Sequence, residues 1–275
     1  MDLARKAATE EEVVEEEWIE SPNGWTDPKY EAKDEEDDDD DENDGGMLDM
    51  FADTDPRDSF PFEIKIHHPE SKEEKTTKTI TLQGYKLDSD ESAQSTGVTL
   101  WQAAPRLAHF LMKPESRELI FGKNVLELGA GLGLVSIVAH HLGAGRVVLT
   151  DGDTLTLRQT RQNVQQNCHD NNNSNNNIEC RQLIWGNPSQ LQSLLDKYGR
   201  LDTILGADVV YTEASLEPLF DTVAALLEPK SGRFVLSRVT KWNDVSDDTV
   251  LGAAKQRKLD CTRPEDGIFI FSVIQ

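Results

Sequence analysis

The chain has 275 residues and a formal net charge of −23, spread unevenly. Residues 1–58 hold 24 acidic and 5 basic residues, whereas residues 59–275 hold 27 and 23. The body therefore lacks the basic stripe that nucleic-acid binding needs, and no apolar run reaches the roughly 18 residues of a membrane span.

Ten of the eleven residues from Asp34 to Asp44 are acidic. Like charges at that density repel and cannot bury a core, so residues 1–58 are expected to form a disordered acidic tail. Two readings of it stay open: a solvated tail, or an arm for a basic protein. Trp18, Ile19, Trp25 and Tyr30 are candidates for a small docking motif within it. The N-terminus lacks the apolar stretch of a secretory signal. Cys168, Cys180 and Cys261 form no CxxC pair, which fits reduced thiols and a cytosolic or nuclear protein. The neighbouring pairs His67-His68 and His140-His141 point their side chains apart, and no Cys/His cluster supports a metal, so none is expected.

From residue 59 the pattern turns regular. Residues 60–66 and 78–87 alternate apolar and polar side chains, which predicts two strands of an N-terminal hairpin within 59–95. Residues 97–112 place Leu100, Trp101, Ala104, Leu107, Ala108 and Leu111 at helical spacing. Strand and helix then alternate. Strands are expected at 124–128, 146–150, 178–185, 201–207, 233–239 and 267–273. Helices are expected at 134–142, 154–167, 188–198, 216–227 and 247–258. An asparagine-rich loop at 171–177 reads as an insertion. Short apolar strands alternating with helices predict an α/β fold, with a largely parallel, Rossmann-like sheet covered on both faces. Ligands in such sheets bind beyond the carboxyl ends of the strands.

The first of those ends carries Glu127-Leu128-Gly129-Ala130-Gly131-Leu132-Gly133. Glycine permits a tight turn and a close ligand approach, and the helix that follows offers free N–H groups. A dinucleotide loop would need glycine at position 134, where Leu134 stands. Asp151 ends the second strand, where a carboxylate can accept hydrogen bonds from vicinal ribose hydroxyls. Asp153 is the better N-cap for the next helix. Trp185 ends the third predicted strand and is either an adenine-stacking indole or a core tryptophan. Ala207 and Asp208 end the fourth, followed by Val209, Val210 and Tyr211.

The E-x-G-x-G-x-G loop resembles the first motif of seven-stranded S-adenosylmethionine-dependent methyltransferases. Over about residues 60–275 the chain resembles the family-16 protein lysine methyltransferases, relatives of the calmodulin, elongation-factor and Hsp70 lysine methyltransferases. Trp101 matches a Trp this family carries before its first core strand; Thr150-Asp151, Asn163-Val164 and Trp185-Gly186 match later motifs, and Asp208-x-x-Tyr211 the fourth. Ile184 stands where relatives often carry an acid. The resemblance implies a seven-stranded sheet, S-adenosyl-L-methionine as cofactor and a protein lysine as acceptor, on a chaperone or translation factor. It places Trp101, Glu127, Gly129, Gly131, Gly133, Asp151, Trp185 and Ala207 against the cofactor, with Asp208 and Tyr211 at the acceptor. Asp208 would orient the ammonium but not deprotonate it, because a carboxylate stabilises the charged form. Tyr211 would bound the lysine channel by cation–π attraction or else be a core aromatic. A monomer is expected. Two other readings stay open, a methyltransferase for a nucleic acid or small molecule and a non-catalytic scaffold. Substrate choice is expected in the hairpin, the loop after Asp208 and residues 241–266.

Overall fold

The computed structural model describes residues 19–21, 24–26, 56–67, 75–168, 177–239 and 245–274. Two compact units are present, Met1–Phe51 and Ala52–Gln275. In the first, β1 (Ile19–Ser21) and β2 (Gly24–Thr26) pair antiparallel, with Glu20 opposite Trp25. The acidic run 34–44, Trp18 and Tyr30 lie outside the described residues, as do most of the asparagine-rich loop and His68.

The second unit opens with a hairpin of β3 (Arg57–His67) and β4 (Lys75–Tyr85), longer than the sequence pattern indicated. One face of it buries Ile64, Ile80 and Leu82. The short helix α1 (Asp90–Gln94), capped by Ser89, went unforeseen. The helix expected over 97–112 is broken in two. Thr96–Val98 form a 3₁₀ turn, Thr99 is extended, and α2 runs from Ala103 to Leu111. Pro105 sits in the first turn of α2, where no intrahelical N–H is lost. The break frees Leu100 and Trp101 from the helix, and α3 (Arg117–Ile120) leads on to the sheet.

The parallel strands are β5 (Asn124–Leu128), β6 (Arg146–Asp151), β7 (Ile178–Gln182), β8 (Thr203–Ala207) and β9 (Arg233–Ser237). They alternate with α4 (Leu134–His141), α5 (Thr154–Cys168), α6 (Pro188–Tyr198) and α7 (Glu213–Leu226). After α8 (Asp247–Gln256) come β10 (Leu259–Glu265) and β11 (Ile268–Val273). The seven strands lie in the order β10-β11-β9-β8-β5-β6-β7, with β11 antiparallel to both neighbours. Chain order reverses at β5, whose two neighbours are β6 and β8, so the switch point lies at its carboxyl end.

Alternation along the strands divides the core. Val125, Val147 and Leu149 face the cluster under α2, α4, α5 and the hairpin; Leu126, Leu128 and Val148 face the cluster under α6, α7 and α8. Local signals fix several ends. Asn187 accepts from Ser189 N and Gln190 N, and Pro188 occupies the first turn of α6. A Thr212–Ser215 capping box starts α7 three residues earlier than its apolar pattern indicated. Strand β10 was missed because it is an edge strand with charges, Pro264 and an irregular register between Thr262 and Glu265. At the opposite edge, Glu179 of β7 accepts from Arg181, Lys197 and Tyr198. Among the described residues no helix is long and apolar enough to cross a membrane.

The hairpin is fastened to α5 by two side-chain amides. Asn163 Oδ1 accepts from Gln83 N (2.8 Å) and its Nδ2 donates to Gln83 O (3.0 Å). One turn later Asn167 repeats the pattern on Thr81, at 3.0 Å in both directions. The free edge of β4 thus pairs with a helix face as it would with a strand. Asn163→Ala leaves a partly buried strand N–H and carbonyl without partners. It is expected to cost about 2–4 kcal/mol, read as a lower urea midpoint, with faster hydrogen exchange at Thr81 and Gln83.

Candidate functional site

A cavity of about 310 Å³ opens at the switch point. Its floor is the loop after β5, one side the ends of β6, β7 and β8, and its roof the segment from Thr96 to Ala104. Every residue expected at the cofactor lines it except Gly133: Trp101, Glu127, Gly129, Gly131, Asp151, Trp185 and Ala207, joined by Tyr211.

Gly129, Gly131 and Gly133 have φ of 63°, 52° and 86°, the left-handed region that favours glycine. At Gly129 the protein also leaves no room, and at Gly131 and Gly133 it leaves little. A Cβ on Gly129 would lie 2.9 Å from Val209, and one on Gly131 would lie 3.2 Å from the Gly97 carbonyl. Gly133 turns the chain into α4 and packs below the cavity against Leu149 and Thr160.

Asp151 braces this loop. Its carboxylate accepts from Gly131 N at 3.1 Å and from Asp153 N at 3.0 Å. Burial outweighs these bonds and raises its pKa. Asp153 caps α5 through Leu155 N at 2.9 Å and accepts from the Ser95 hydroxyl. Burial acts on Asp153 in the opposite sense, but the bonds from Ser95, Leu155 and Thr156 prevail and lower its pKa.

Glu127 is 1% exposed, and Ser136 N donates to its carboxylate at 3.0 Å. Burial, with the nearby Asp151 charge adding to it and the Ser136 bonds opposing, pushes its pKa up to about 8. Trp101 donates its indole N–H to the Thr96 carbonyl at 2.7 Å, which holds the roof turn closed on itself. Trp185 lies in the loop beyond β7, three residues past the strand's last residue, not at the strand end. Leu183 N still donates to the Asp151 carbonyl of β6 (2.9 Å), the last rung of that ladder; the chain then leaves the sheet, with Gly186 at φ 77°.

Asp208 differs most from expectation. It is a non-glycine residue at φ 51°. Its carboxylate does not line the cavity. It accepts from Ala103 N, at the start of α2, at 3.3 Å and from Val239 N at 3.0 Å. Burial raises its pKa against these bonds and the Arg106 and Arg238 charges. Tyr211 is what this loop presents to the cavity. The residue is 52% exposed, yet the phenol lies deep enough that burial, then the Asp151 and Asp208 charges, pushes its pKa up to about 12.

Thr96, Gly97, Thr156 and Leu183 also line the cavity and were not singled out from sequence, and Ile184, noted there for standing in place of an acid, lines it too. The Ser-Thr-Gly turn at 95–97 was the signal available for the first two. Among the described residues lining the cavity, three are carboxylic (Glu127, Asp151, Asp153) and none is Lys, Arg or His. That donor set repels phosphates and suits a nucleoside carrying positive charge, with a diol acceptor at Asp151 and an indole at Trp185. Among the described residues no group of three or more His, Cys, Asp or Glu could hold a metal ion.

The sheet and this phosphate-averse cavity at its switch point define an S-adenosylmethionine-dependent methyltransferase. Residues 82–256 match the family described as lysine methyltransferase, and the chain belongs to that family. It is 31% identical over 201 residues to the protein N-lysine methyltransferase METTL21A of Danio rerio, covering 72% of this chain and 85% of the relative. It is 29% identical over 194 residues to the EEF1A lysine methyltransferase 3 of Mus musculus, covering 68% and 75%. It is 27% identical over 172 residues to the protein-lysine N-methyltransferase EFM3 of Chaetomium thermophilum, covering 61% and 49%. The acceptor is accordingly a lysine side chain of a protein.

Because the folded pKa of Glu127 lies above its unfolded value of 4.5, its contribution to stability is complete below that pH. The contribution falls as pH rises towards and through about 8. Glu127→Gln is expected to leave stability nearly unchanged in acid and to raise it progressively up to about pH 8, by about 5 kcal/mol at most. Urea midpoints of both proteins across that range check this.

Proposed function

We propose that the cavity holds S-adenosyl-L-methionine and that the lysine of a translation factor enters past Tyr211. The observation that carries this is the carboxylate-lined cavity, with no Lys, Arg or His among its described lining residues and Tyr211 on its wall. One relative is named for its action on EEF1A, which supports a translation factor over a chaperone. The near-neutral body argues against nucleic acid, and the reduced-thiol pattern suits a cytosolic or nuclear monomer.

The bound cofactor supplies a methyl group on a positively charged sulfur, a leaving group already activated. What the chain must add is positioning and exclusion of water. Asp151 holds the ribose hydroxyls with carboxylate lone pairs left over from Gly131 and Asp153. Trp185 and Ile184, which line the cavity, would flank the adenine, and Trp101 would close the roof above it. Asp208 serves as a tie between the start of α2 and the end of β9. From behind the wall its charge, close to Tyr211, draws the incoming ammonium into line. It is no general base. Only about one free lysine in a thousand is neutral near pH 7, and a carboxylate lowers that fraction further. The proton leaves to water as the apolar wall closes on the side chain. The tyrosine ring face then bounds the methylammonium product.

Tritium from labelled cofactor, followed in a lysate lacking the endogenous enzyme, is expected in a protease-sensitive, nuclease-resistant band. Label lost on nuclease treatment would favour the nucleic-acid reading. Binding of the cofactor without any labelled band would favour the scaffold reading. Asp151→Ala is expected to weaken cofactor binding about 10- to 100-fold by calorimetry. Tyr211→Phe, which keeps the ring, is expected to retain most of kcat, whereas Tyr211→Ala loses about tenfold or more in steady-state assays.

A further inference from the structure

We infer that Glu127 makes the enzyme prefer the cationic methyl donor to its neutral demethylated product. The inference rests on the cavity being the cofactor site. The donor carries one net positive charge; once the methyl group has left, the sulfur is neutral and so is the molecule as a whole. A site that senses this difference must hold a negative charge whose cost is lowered by a cation and not by a neutral ligand.

Glu127 meets that requirement. It lines the cavity and is almost fully buried at the end of the central strand β5. From α4 it receives the Ser136 N–H. From β6 it is faced by Asp151, a like charge. From β7 it has Cys180, a thiol that burial keeps protonated. Asp153 and Tyr211 on the cavity walls are acidic as well, and no Lys, Arg or His lines the cavity among the described residues. Nothing described around Glu127 offers it a countercharge. Burial therefore holds the carboxyl in its protonated form near neutral pH. A ligand bearing net positive charge supplies the countercharge. Its binding favours the ionised carboxylate, and the displaced proton passes to the solvent. A neutral ligand gives no such return. The donor's advantage over the product therefore grows as pH rises through the range in which Glu127 ionises.

Calorimetry on the full chain, with S-adenosylmethionine and S-adenosylhomocysteine as probes, tests this at about pH 6.5 and about pH 9. Two buffers of different ionisation enthalpy count the protons released. Each ligand's amino group titrates in the same range, so the reading is the difference between the wild type and Glu127→Gln. The product-to-donor Kd ratio of the wild type is expected to rise about tenfold more than that of the variant. At about pH 7 the wild type is expected to release more proton on binding donor than product. Equal pH dependence of the ratio in both proteins overturns the inference. Should the variant fail to fold, proton release from the wild type that is no greater with the donor than with the product overturns it, and greater release with the donor supports it. If the wild type binds neither ligand, the cofactor assignment fails instead.

Discussion

Two amides hold the cavity's roof in place. Asn163 and Asn167 present a strand-like pattern of donors and acceptors along one side of α5, and β4 pairs with it at Thr81 and Gln83. The hairpin leads through α1 into residues 96–104, which form the roof. Asn163 also donates to the Leu132 carbonyl, within the floor loop (3.0 Å). One buried side chain thus touches both the loop after β5 and strand β4 of the hairpin. Asp208 fastens the other end of the roof at Ala103. Between these anchors the chain has little freedom, and helix α2 begins only after Trp101 has been placed.

The electrostatics of the cavity follow from where its acids sit on the sheet. Glu127 and Asp151 are on adjacent parallel strands, and the register of β5 and β6 brings them to the same end. Each is raised by burial; the Asp151 charge makes the ionisation of Glu127 harder, and the Asp153 charge does the same to Asp151. Such an arrangement costs stability as pH rises unless something positive lies between them.

Much of this was legible in the sequence. The E-x-G-x-G-x-G loop, Asp151 and Trp185 were found because short strands and glycine turns leave strong local signals. The alternation of strand and helix gave the parallel sheet. Three things were hidden. Helix 97–112 shows an unbroken apolar stripe, yet Thr99 is extended, because Leu100 and Trp101 pack on the cavity, not along a helix face. Strand β10 shows charge and proline, which an edge position tolerates and a pattern search rejects. Asp208 looked like an acceptor ligand because its place in the order of strands faces the cleft. Its left-handed backbone turns the carboxylate back to Ala103 and Val239, and no spacing rule encodes that turn.

The two outer strands of the sheet carry a further consequence. Strand β7 ends the sheet with Glu179 and Arg181 tied to Lys197 and Tyr198 of α6, and β10 ends it with Arg263, Pro264 and Glu265. A strand from a neighbouring molecule would have to displace those ion pairs at one edge and would lack an N–H partner at the proline on the other. A seven-stranded sheet with such borders resists edge-to-edge aggregation, so the chain can keep two apolar cores without offering either margin as a template for fibres.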